Sequence, residues 1–210
     1  MGNLCSSKDD DPTLNSIKGL KVQTSTFDQK SPNNSQQVSQ CKVVMLGDTA
    51  VGKTSITVRY VQNKFITSHI VTVGAQFQQP KIQLKNGNIL KLNLWDTAGE
   101  EKFRSMLPMY YKDTKGAIVV YDMGKKETFE HLDEWIEALS QHIKLDDIVL
   151  FLVGNKKDLD PQDIQVDELS ALRYAKKNKM KFATVSAKTG EGVVEVFNDL
   201  AEELSKKFKF

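Results

Sequence analysis

The stretch from Cys41 to Ser55 has the sequence CKVVMLGDTAVGKTS. An apolar run ends at Leu46 and is followed by glycine, four further residues and Gly-Lys-Thr, the pattern of a phosphate-binding loop between a strand and a helix. Glycines let such a loop turn tightly and approach phosphate, and the amides at the helix start point toward an anion. The residues assigned to this phosphate site are Thr49, Ala50, Val51, Gly52, Lys53, Thr54 and Ser55.

Within this loop, Lys53 is expected to reach the outer phosphates and the Thr54 hydroxyl to bind Mg²⁺. The alternative is an ordinary glycine turn before a helix. A complete match to the pattern, placed after an apolar strand, makes that alternative the weaker interpretation. A phosphate-binding loop alone does not distinguish kinases, ATPases and GTPases.

Strand-like and helix-like segments alternate through the rest of the chain. Two segments of period-two alternation flank Asn86-Gly87, a hairpin signal, and further strands are assigned to Gly116–Tyr121, Ile148–Val153 and Phe182–Val185. Helical spacing is seen in three sets of residues: Leu132, Trp135, Ile136, Leu139 and Ile143; Leu169, Leu172, Arg173 and Ala175; and Val193, Val196, Phe197 and Leu200. This order predicts an α/β fold with a mostly parallel six-stranded sheet, one antiparallel strand and helices on both faces.

Three more polar segments follow predicted strands, at the sheet edge where ligands of such folds bind. They are Asp96–Gly99, Asn155–Asp158 and Ser186–Lys188. The Asp158 carboxylate can accept hydrogen bonds from the ring nitrogen and the exocyclic amine of guanine, a pair of donors that adenine does not offer. An isolated Asn-Lys-Lys-Asp would be only a polar turn, but its place after a buried strand favours recognition of guanine.

Each residue near the predicted base has a distinct task. Asn155 can bond the base and tie neighbouring loops together, and Lys156 can cover the ring plane with its aliphatic stem. The Ala187 amide can meet the guanine carbonyl oxygen. The residues assigned to the base are Asn155, Lys156, Asp158, Ser186, Ala187 and Lys188.

The composition excludes several classes of protein. The chain has 210 residues, of which 40% are hydrophobic and 27% charged, as in a soluble globular protein, and its net charge of +2 is too small to indicate nucleic-acid binding. Its two cysteines, Cys5 and Cys41, provide neither a disulfide framework nor zinc-ligand spacing, which fits a reducing compartment. Because it lacks a long apolar run and a secretory signal, we expect a protein that is not secreted and does not cross a membrane.

The segment from Cys41 to Phe210 resembles a small GTPase of the Rab family, within the Ras superfamily. Besides the four segments above, the motifs that carry the resemblance are Trp95–Gly99, Tyr110-Tyr111 followed by Gly116, and Val71–Phe77, which is most similar to early-endosomal Rabs. The resemblance implies a Ras-like fold over residues 41–210, binding of GTP or GDP with Mg²⁺, and hydrolysis of GTP.

The resemblance also implies roles for individual residues. Thr54, Thr72 and Asp96 would hold Mg²⁺, with Asp96 acting through a metal-bound water. Thr72 and the Gly99 amide would contact the γ-phosphate, so that both loops relax when that phosphate leaves. Effector proteins, an exchange factor and an activating protein would be the partners of a monomeric switch.

Phe77, Trp95 and Tyr110 match the aromatic residues that Rabs present to effectors, with core packing as the alternative for each. Trp135 is interpreted as a core residue. The three histidines, His69, His131 and His142, lack companions at metal or catalytic spacing and are assigned no chemistry.

One departure from the family concerns catalysis, for which the implied residues are Glu100, Lys53 and Thr72. Rabs usually have glutamine where this chain has Glu100. An ionised carboxylate cannot donate to phosphate oxygens and adds negative charge beside negative charge, a repulsion of at most about 4 kcal/mol at about 4 Å and an effective dielectric near 20. We therefore predict slow intrinsic hydrolysis, which an activating protein could still accelerate.

Residues 1–40 are polar and are interpreted as a flexible N-terminal tail with an acylation signal. Met1–Ser6 fits the myristoylation pattern at Gly2, and Cys5 is a candidate for palmitoylation. Most Rabs end in prenylated cysteines, which this sequence lacks, whereas plant Ara-type Rabs share the N-terminal arrangement. Since two acyl chains hold a membrane firmly, we expect the protein on the cytoplasmic face of endosomal or other endomembranes, with the plasma membrane as an alternative.

Two hypotheses of different class remain. The first is a regulatory GTPase that cycles between GDP and GTP to recruit trafficking effectors. The second is a GTP-locked binding module in which Glu100 has removed useful turnover. A phosphate-loop kinase is disfavoured because the guanine-binding segments are complete.

Overall fold

The computed structural model describes residues 36–67, 72, 74–99 and 107–210. Gly2, Cys5 and Glu100 lie outside these residues, so the predictions made for them stay predictions. Within the described part, strands and helices follow in this order: β1 (Val38–Leu46), α1 (Lys53–Gln62), β2 (Ala75–Gln78), β3 (Lys81–Gln83), β4 (Ile89–Thr97), α2 (Leu107–Tyr111), β5 (Thr114–Asp122), α3 (Lys126–Glu130), α4 (Leu132–Ser140), β6 (Val149–Asn155), α5 (Glu168–Lys177), β7 (Lys181–Thr184) and α6 (Val193–Phe208).

The strands form one sheet in the order β2-β4-β1-β5-β6-β7, with β3 also paired to β4. All pairs are parallel except those of β2 and β3 with β4. The predicted α/β class and the antiparallel partner are therefore confirmed. β1 begins at Val38, three residues before the apolar run that was predicted to open the domain at Cys41.

The number of strands differs from the prediction because the antiparallel edge is divided into two segments. Pro80 separates β2 from β3, and proline has no N–H to donate to a sheet. Its carbonyl still accepts from the Leu92 amide at 3.0 Å, so the two segments follow β4 as one interrupted edge. The sheet thus has seven strands in the described residues where six were predicted.

Alternate side chains of the central strands pack on opposite faces of the sheet. On β1, Val43 and Met45 join a core with residues of α1 and α6, whereas Val44 and Leu46 join a second core with residues of α4 and α5. Strands β5 and β6 are buried along most of their length, as continuous apolar runs predict for strands covered on both faces. Both faces of the sheet are therefore covered by helices.

The predicted apolar face of α6 is confirmed, and that of α5 needs a correction. Val193, Val196, Phe197 and Leu200 are all buried. On α5, however, Leu169 is 54% exposed, and the buried positions are Ala171 and Ala175. Asp167 caps this helix by accepting from the Ser170 amide at 2.9 Å, and the small side chains of Ala171 and Ala175 form its buried face.

Two residues that were expected to be packed lie in the core. Trp135 and Cys41 are both almost completely buried. Burial raises the pKa of the Cys41 thiol to about 12, against the opposing effect of the Lys115 charge. Among the described residues, no helix has the length and apolar character needed to span a bilayer.

Candidate nucleotide-binding site

A cleft of about 580 Å³ opens at the carboxyl ends of the parallel strands. Its lining includes residues of the phosphate-binding loop and of the loops that follow β6 and β7. Thr72 and Gly99 also line it. All the residues predicted to contact a nucleotide line this cleft except Val51 and Ser186, which are fully buried. Segments that are far apart in sequence therefore meet in one cavity.

The phosphate-binding loop is held in shape by its own backbone and by a neighbouring loop. Gly52 has a φ of 99°, a left-handed conformation, and a Cβ there would collide with the Asn155 side chain. The Gly52 carbonyl accepts from the Ile56 amide at 2.9 Å as α1 begins. The Asn155 Nδ2 donates to the Val51 carbonyl at 2.8 Å. The start of α1 lines the cleft, and the amides at a helix N-terminus suit an anion.

Lys53 is buried within this loop. Its Nζ donates to the carbonyls of Gly47 at 2.6 Å and Asp48 at 2.8 Å. Burial lowers the pKa of Lys53 to about 8, although the charges of Asp96 and Asp48 act in the opposite direction. A negatively charged phosphate in the cleft would compensate this desolvated cation.

The loops at the other end of the cleft are joined by side chains. Asn155 Oδ1 accepts from the Ala187 amide at 3.1 Å, so in this structure that amide has a partner other than the predicted guanine oxygen. Asp158 accepts from Ser186 Oγ at 2.6 Å and pairs with Lys188 Nζ at 3.3 Å. Partial burial acts to raise the pKa of Asp158, but the bonds from Ser186 and Lys188 outweigh it and the net shift is downward. The carboxylate is thus kept in its accepting form.

Lys156 has a left-handed backbone, with a φ of 71°. Its Nζ pairs with the buried carboxylate of Asp122 at 2.5 Å. The ammonium group is thereby anchored, and Lys156 is one of the residues that line the cleft. Covering a planar base with the aliphatic stem of this residue stays a prediction from the sequence.

The predicted metal ligands meet at the phosphate end. Asp96 is 1% exposed, and neither of its carboxylate oxygens has a hydrogen-bond partner among the described residues. Burial raises its pKa to about 6, while the Thr54 hydroxyl and the Lys53 charge act to lower it. The Thr54 and Thr72 hydroxyl oxygens lie 2.8 Å apart. A buried carboxylate without a partner beside two hydroxyls fits a hard divalent cation with oxygen ligands.

Residues 42–206 match the Ras family. The chain belongs to this family. Among known relatives, it is 39% identical to Ras-related protein Rab-5B of Plasmodium falciparum (isolate 3D7), over 93% of this chain and 92% of the relative. It is 41% identical to Rab-21 of Geodia cydonium, over 80% of this chain and 72% of the relative, and 38% identical to Rab-5A of Dictyostelium discoideum, over 83% and 85%.

These relatives identify a Rab-type small GTPase, as the sequence motifs predicted. Ras-family GTPases bind GTP and GDP with Mg²⁺ and hydrolyse GTP. They act with effectors, exchange factors and activating proteins.

In this GTPase, the three aromatic residues predicted to contact effectors form one group. The ring centroids of Phe77 and Trp95 are 5.3 Å apart, and those of Trp95 and Tyr110 are 5.4 Å apart. Phe77 is 48% exposed, whereas Trp95 and Tyr110 are partly buried against the core. The group therefore combines packing with an exposed face, and the two interpretations given for these residues are compatible.

Sequence reasoning missed two sets of contacts around the site. Asp48, in the phosphate-binding loop, is bonded by Trp135, which was assigned to the core, and by His131, which was assigned no chemistry. Arg59 on α1 donates to the carbonyls of Ala187 at 2.9 Å and Lys188 at 2.6 Å. No local sequence motif predicts either set of contacts, because each set joins residues more than 80 positions apart.

Proposed function

We propose that this Rab-type GTPase is a membrane-bound switch of endosomal trafficking, which recruits effectors in its GTP state and releases them after hydrolysis. The observation that carries the proposal is that residues of the phosphate loop and of the base-binding loops line one cleft together with Thr72 and Gly99. Similarity to Rab-5 proteins supports the endosomal assignment.

In this proposal each end of the cleft has its own task. Asp158 and Asn155 select guanine, and Lys53 with the amides at the start of α1 holds the phosphates. Thr54, Thr72 and Asp96 would hold Mg²⁺, which neutralises charge on the outer phosphates when bound. Thr72 and Gly99 contact the γ-phosphate, so its loss releases the two segments that carry them.

The direct test is calorimetric titration of the nucleotide-stripped, full-length protein. We expect binding of GTP and GDP at least a thousandfold tighter than binding of ATP, because Asp158 finds its two donors only on guanine. Equal affinities for GTP and ATP would overturn the proposal.

We further propose that Glu100 slows intrinsic hydrolysis. Single-turnover hydrolysis by Glu100→Gln should be at least tenfold faster than by the natural protein, because glutamine can donate to phosphate oxygens and removes a negative charge. Glu101→Gln is the matched control, since it removes the neighbouring charge and should leave the rate unchanged. Equal rates for Glu100→Gln and the natural protein would contradict this part of the proposal.

The GTP-locked module is the second candidate, and Glu100 is the feature that favours it. The nucleotide content of the freshly purified protein separates the two candidates. A locked module would retain GTP and would stay unresponsive to an activating protein. A cycling switch would contain mainly GDP, or would convert its GTP when the activating protein is added.

Membrane attachment through Gly2 and Cys5 is also proposed. The match to Rab-5B of P. falciparum covers more of this chain than residues 41–210, so it extends into the N-terminal segment. Mass spectrometry of the N-terminal peptide should find a myristoyl group on Gly2 and a palmitoyl group on Cys5. Gly2→Ala should move the protein from membranes to the soluble fraction, and an unmodified peptide would exclude this anchor.

A further inference from the structure

Asp48 connects the phosphate-binding loop to α4 through its side chain. The two carboxylate oxygens take different partners: Oδ1 accepts from Trp135 Nε1 at 2.7 Å, and Oδ2 lies 2.7 Å from His131 Nδ1. His131 immediately precedes α4, and Trp135 lies one turn further along the same face. The Trp135 ring is buried, whereas the His131 side chain is 47% exposed. We name this arrangement of His131, Asp48 and Trp135 the Asp48 clasp.

The backbone of Asp48 makes two further contacts on the other side. Its carbonyl accepts from Lys53 Nζ at 2.8 Å. The peptide between Asp48 and Thr49 also lies directly against Gly99, where an added Cβ would be 2.5 Å from both the Asp48 carbonyl carbon and the Thr49 nitrogen. Such distances leave no room for a side chain, so Gly99 rests on this peptide.

One residue therefore joins α4, the phosphate-binding lysine and the glycine expected to contact the γ-phosphate. Because close-packed atoms cannot absorb a shift without moving their neighbours, a displacement of the 48–49 peptide must reach Gly99. The Gly52–Ser55 amides lie beyond this contact, at the start of α1. GDP uses these amides but has no γ-phosphate for Gly99.

We propose that the Asp48 clasp positions the 48–49 peptide so that Gly99 can reach the γ-phosphate, and that the clasp thereby raises the preference for GTP over GDP. Asp48, His131 and Trp135 are positioning residues in this account, since none of them needs to touch the nucleotide. The inference rests on the proposed GTP and GDP switch and adds a determinant of its selectivity.

A clasp with a merely structural role has a different consequence. If the contacts only helped α4 to pack, their loss would lower thermal stability and would weaken GTP and GDP equally. The ratio of the two affinities is therefore the decisive quantity, since a change in stability alone does not alter it.

The experiment measures the dissociation constants of full-length variants for GDP and for a non-hydrolysable GTP analogue in saturating Mg²⁺. Asp48→Ala removes both bonds, and we expect about a tenfold loss of the analogue-to-GDP preference with GDP binding changed less than about threefold. His131→Ala and Trp135→Phe should each cause part of this loss. Asp48→Asn should retain much of the preference, because its oxygen can accept from Trp135 while its NH2 group donates to His131 Nδ1 in the tautomer that leaves this nitrogen unprotonated.

Asp133→Ala is the matched control on the same helix. The Asp133 carboxylate accepts from Tyr174 Oη at 2.7 Å and is not part of the clasp, so its removal should leave the preference unchanged. An unchanged ratio in Asp48→Ala, or equal weakening of both nucleotides, would overturn the inference. Failure of the natural protein to bind either nucleotide would instead refute the proposed function, so the two failures are distinguishable.

Discussion

The two ends of the nucleotide cleft differ in how far the protein itself satisfies their polar groups. At the base end, Asn155 bonds two loops, and the Asp158 carboxylate has a partner on each oxygen. At the phosphate end, both oxygens of the buried Asp96 carboxylate lack a hydrogen-bond partner among the described residues. The base end is thus complete before a ligand binds, and the phosphate end is completed by its ligand.

This difference has a functional meaning. A site whose donors and acceptors already hold one another changes little between nucleotide states, so it can retain GTP and GDP alike. A site with a desolvated, unpaired carboxylate gains much more when a cation arrives, because an unpaired buried charge is costly. The contrast predicts that changes at the base end weaken both nucleotides equally, whereas changes at the phosphate end act through Mg²⁺ or through the γ-phosphate.

The largest effect is expected for Asp158→Asn at the base end. This change replaces one accepting oxygen with a donor, so one hydrogen bond to guanine is lost and the other loses its charge assistance, and we expect GDP and GTP affinity to fall together by about a thousandfold. Xanthosine nucleotides should bind better than guanosine nucleotides, because their second ring carbonyl can accept from the new amide.

Titration of Asp158→Asn with GDP, GTP and xanthosine diphosphate checks this prediction. Asp160→Asn is the control, since Asp160 is exposed two residues away and its charge loss should leave all three affinities unchanged. A variant that kept full guanine affinity would show that Asp158 does not select the base.

The next largest effect is expected for Asp96→Asn at the phosphate end, where two properties should change in opposite directions. Without nucleotide and Mg²⁺, the variant should be more stable by about 1–3 kcal/mol, because it no longer buries a carboxylate whose desolvation outweighs the nearby Lys53 charge. Its affinity for GDP in Mg²⁺ should fall by about a hundredfold, and chelation of Mg²⁺ should no longer accelerate GDP release.

Thermal unfolding of the stripped protein and GDP release with and without chelator test both parts. Asp122→Asn is a useful contrast, because Asp122 is equally buried but pairs with Lys156 and accepts from the Gly124 amide. Its substitution should destabilise the stripped protein. If Asp96→Asn also destabilised the stripped protein, the Asp96 carboxylate would not be a group that the protein leaves unsatisfied, and the contrast between the two ends of the cleft would be wrong.

Features that depend on local sequence were predictable. The order of strands and helices follows from apolar runs and periodicity, and the four polar segments could be predicted to meet because each lies at the carboxyl end of a strand, where all four contribute to the lining of the cleft. β2 was not predicted, since Ala75–Gln78 has no buried residue that would mark it as a strand. It is held by backbone pairing with β4, which no local pattern reveals.

Features that depend on packing were not predictable. Leu169 fits a helical apolar pattern, yet the contact surface of α5 is formed by Ala171 and Ala175. His131 was judged by its sequence neighbours, whereas its partner Asp48 comes from a loop 83 residues away. Pairs of this kind are set by how α4 and the phosphate-binding loop approach each other on the sheet.

The smallest effect is expected for Arg59→Ala, which tests whether the base end is prebuilt by the protein. The Arg59 guanidinium joins α1 to the carbonyls of Ala187 and Lys188, so its removal should lower the free energy of unfolding by about 1 kcal/mol. GDP and GTP should both dissociate about threefold faster, with their affinity ratio unchanged, because the base is common to both. Arg59→Lys should recover only part of the lost stability and affinity, since its single ammonium group cannot reproduce the two hydrogen bonds that the guanidinium donates to separate carbonyls. A shift of the ratio toward GDP would show that α1 carries the effect to the γ-phosphate, and the two ends would then not be independent.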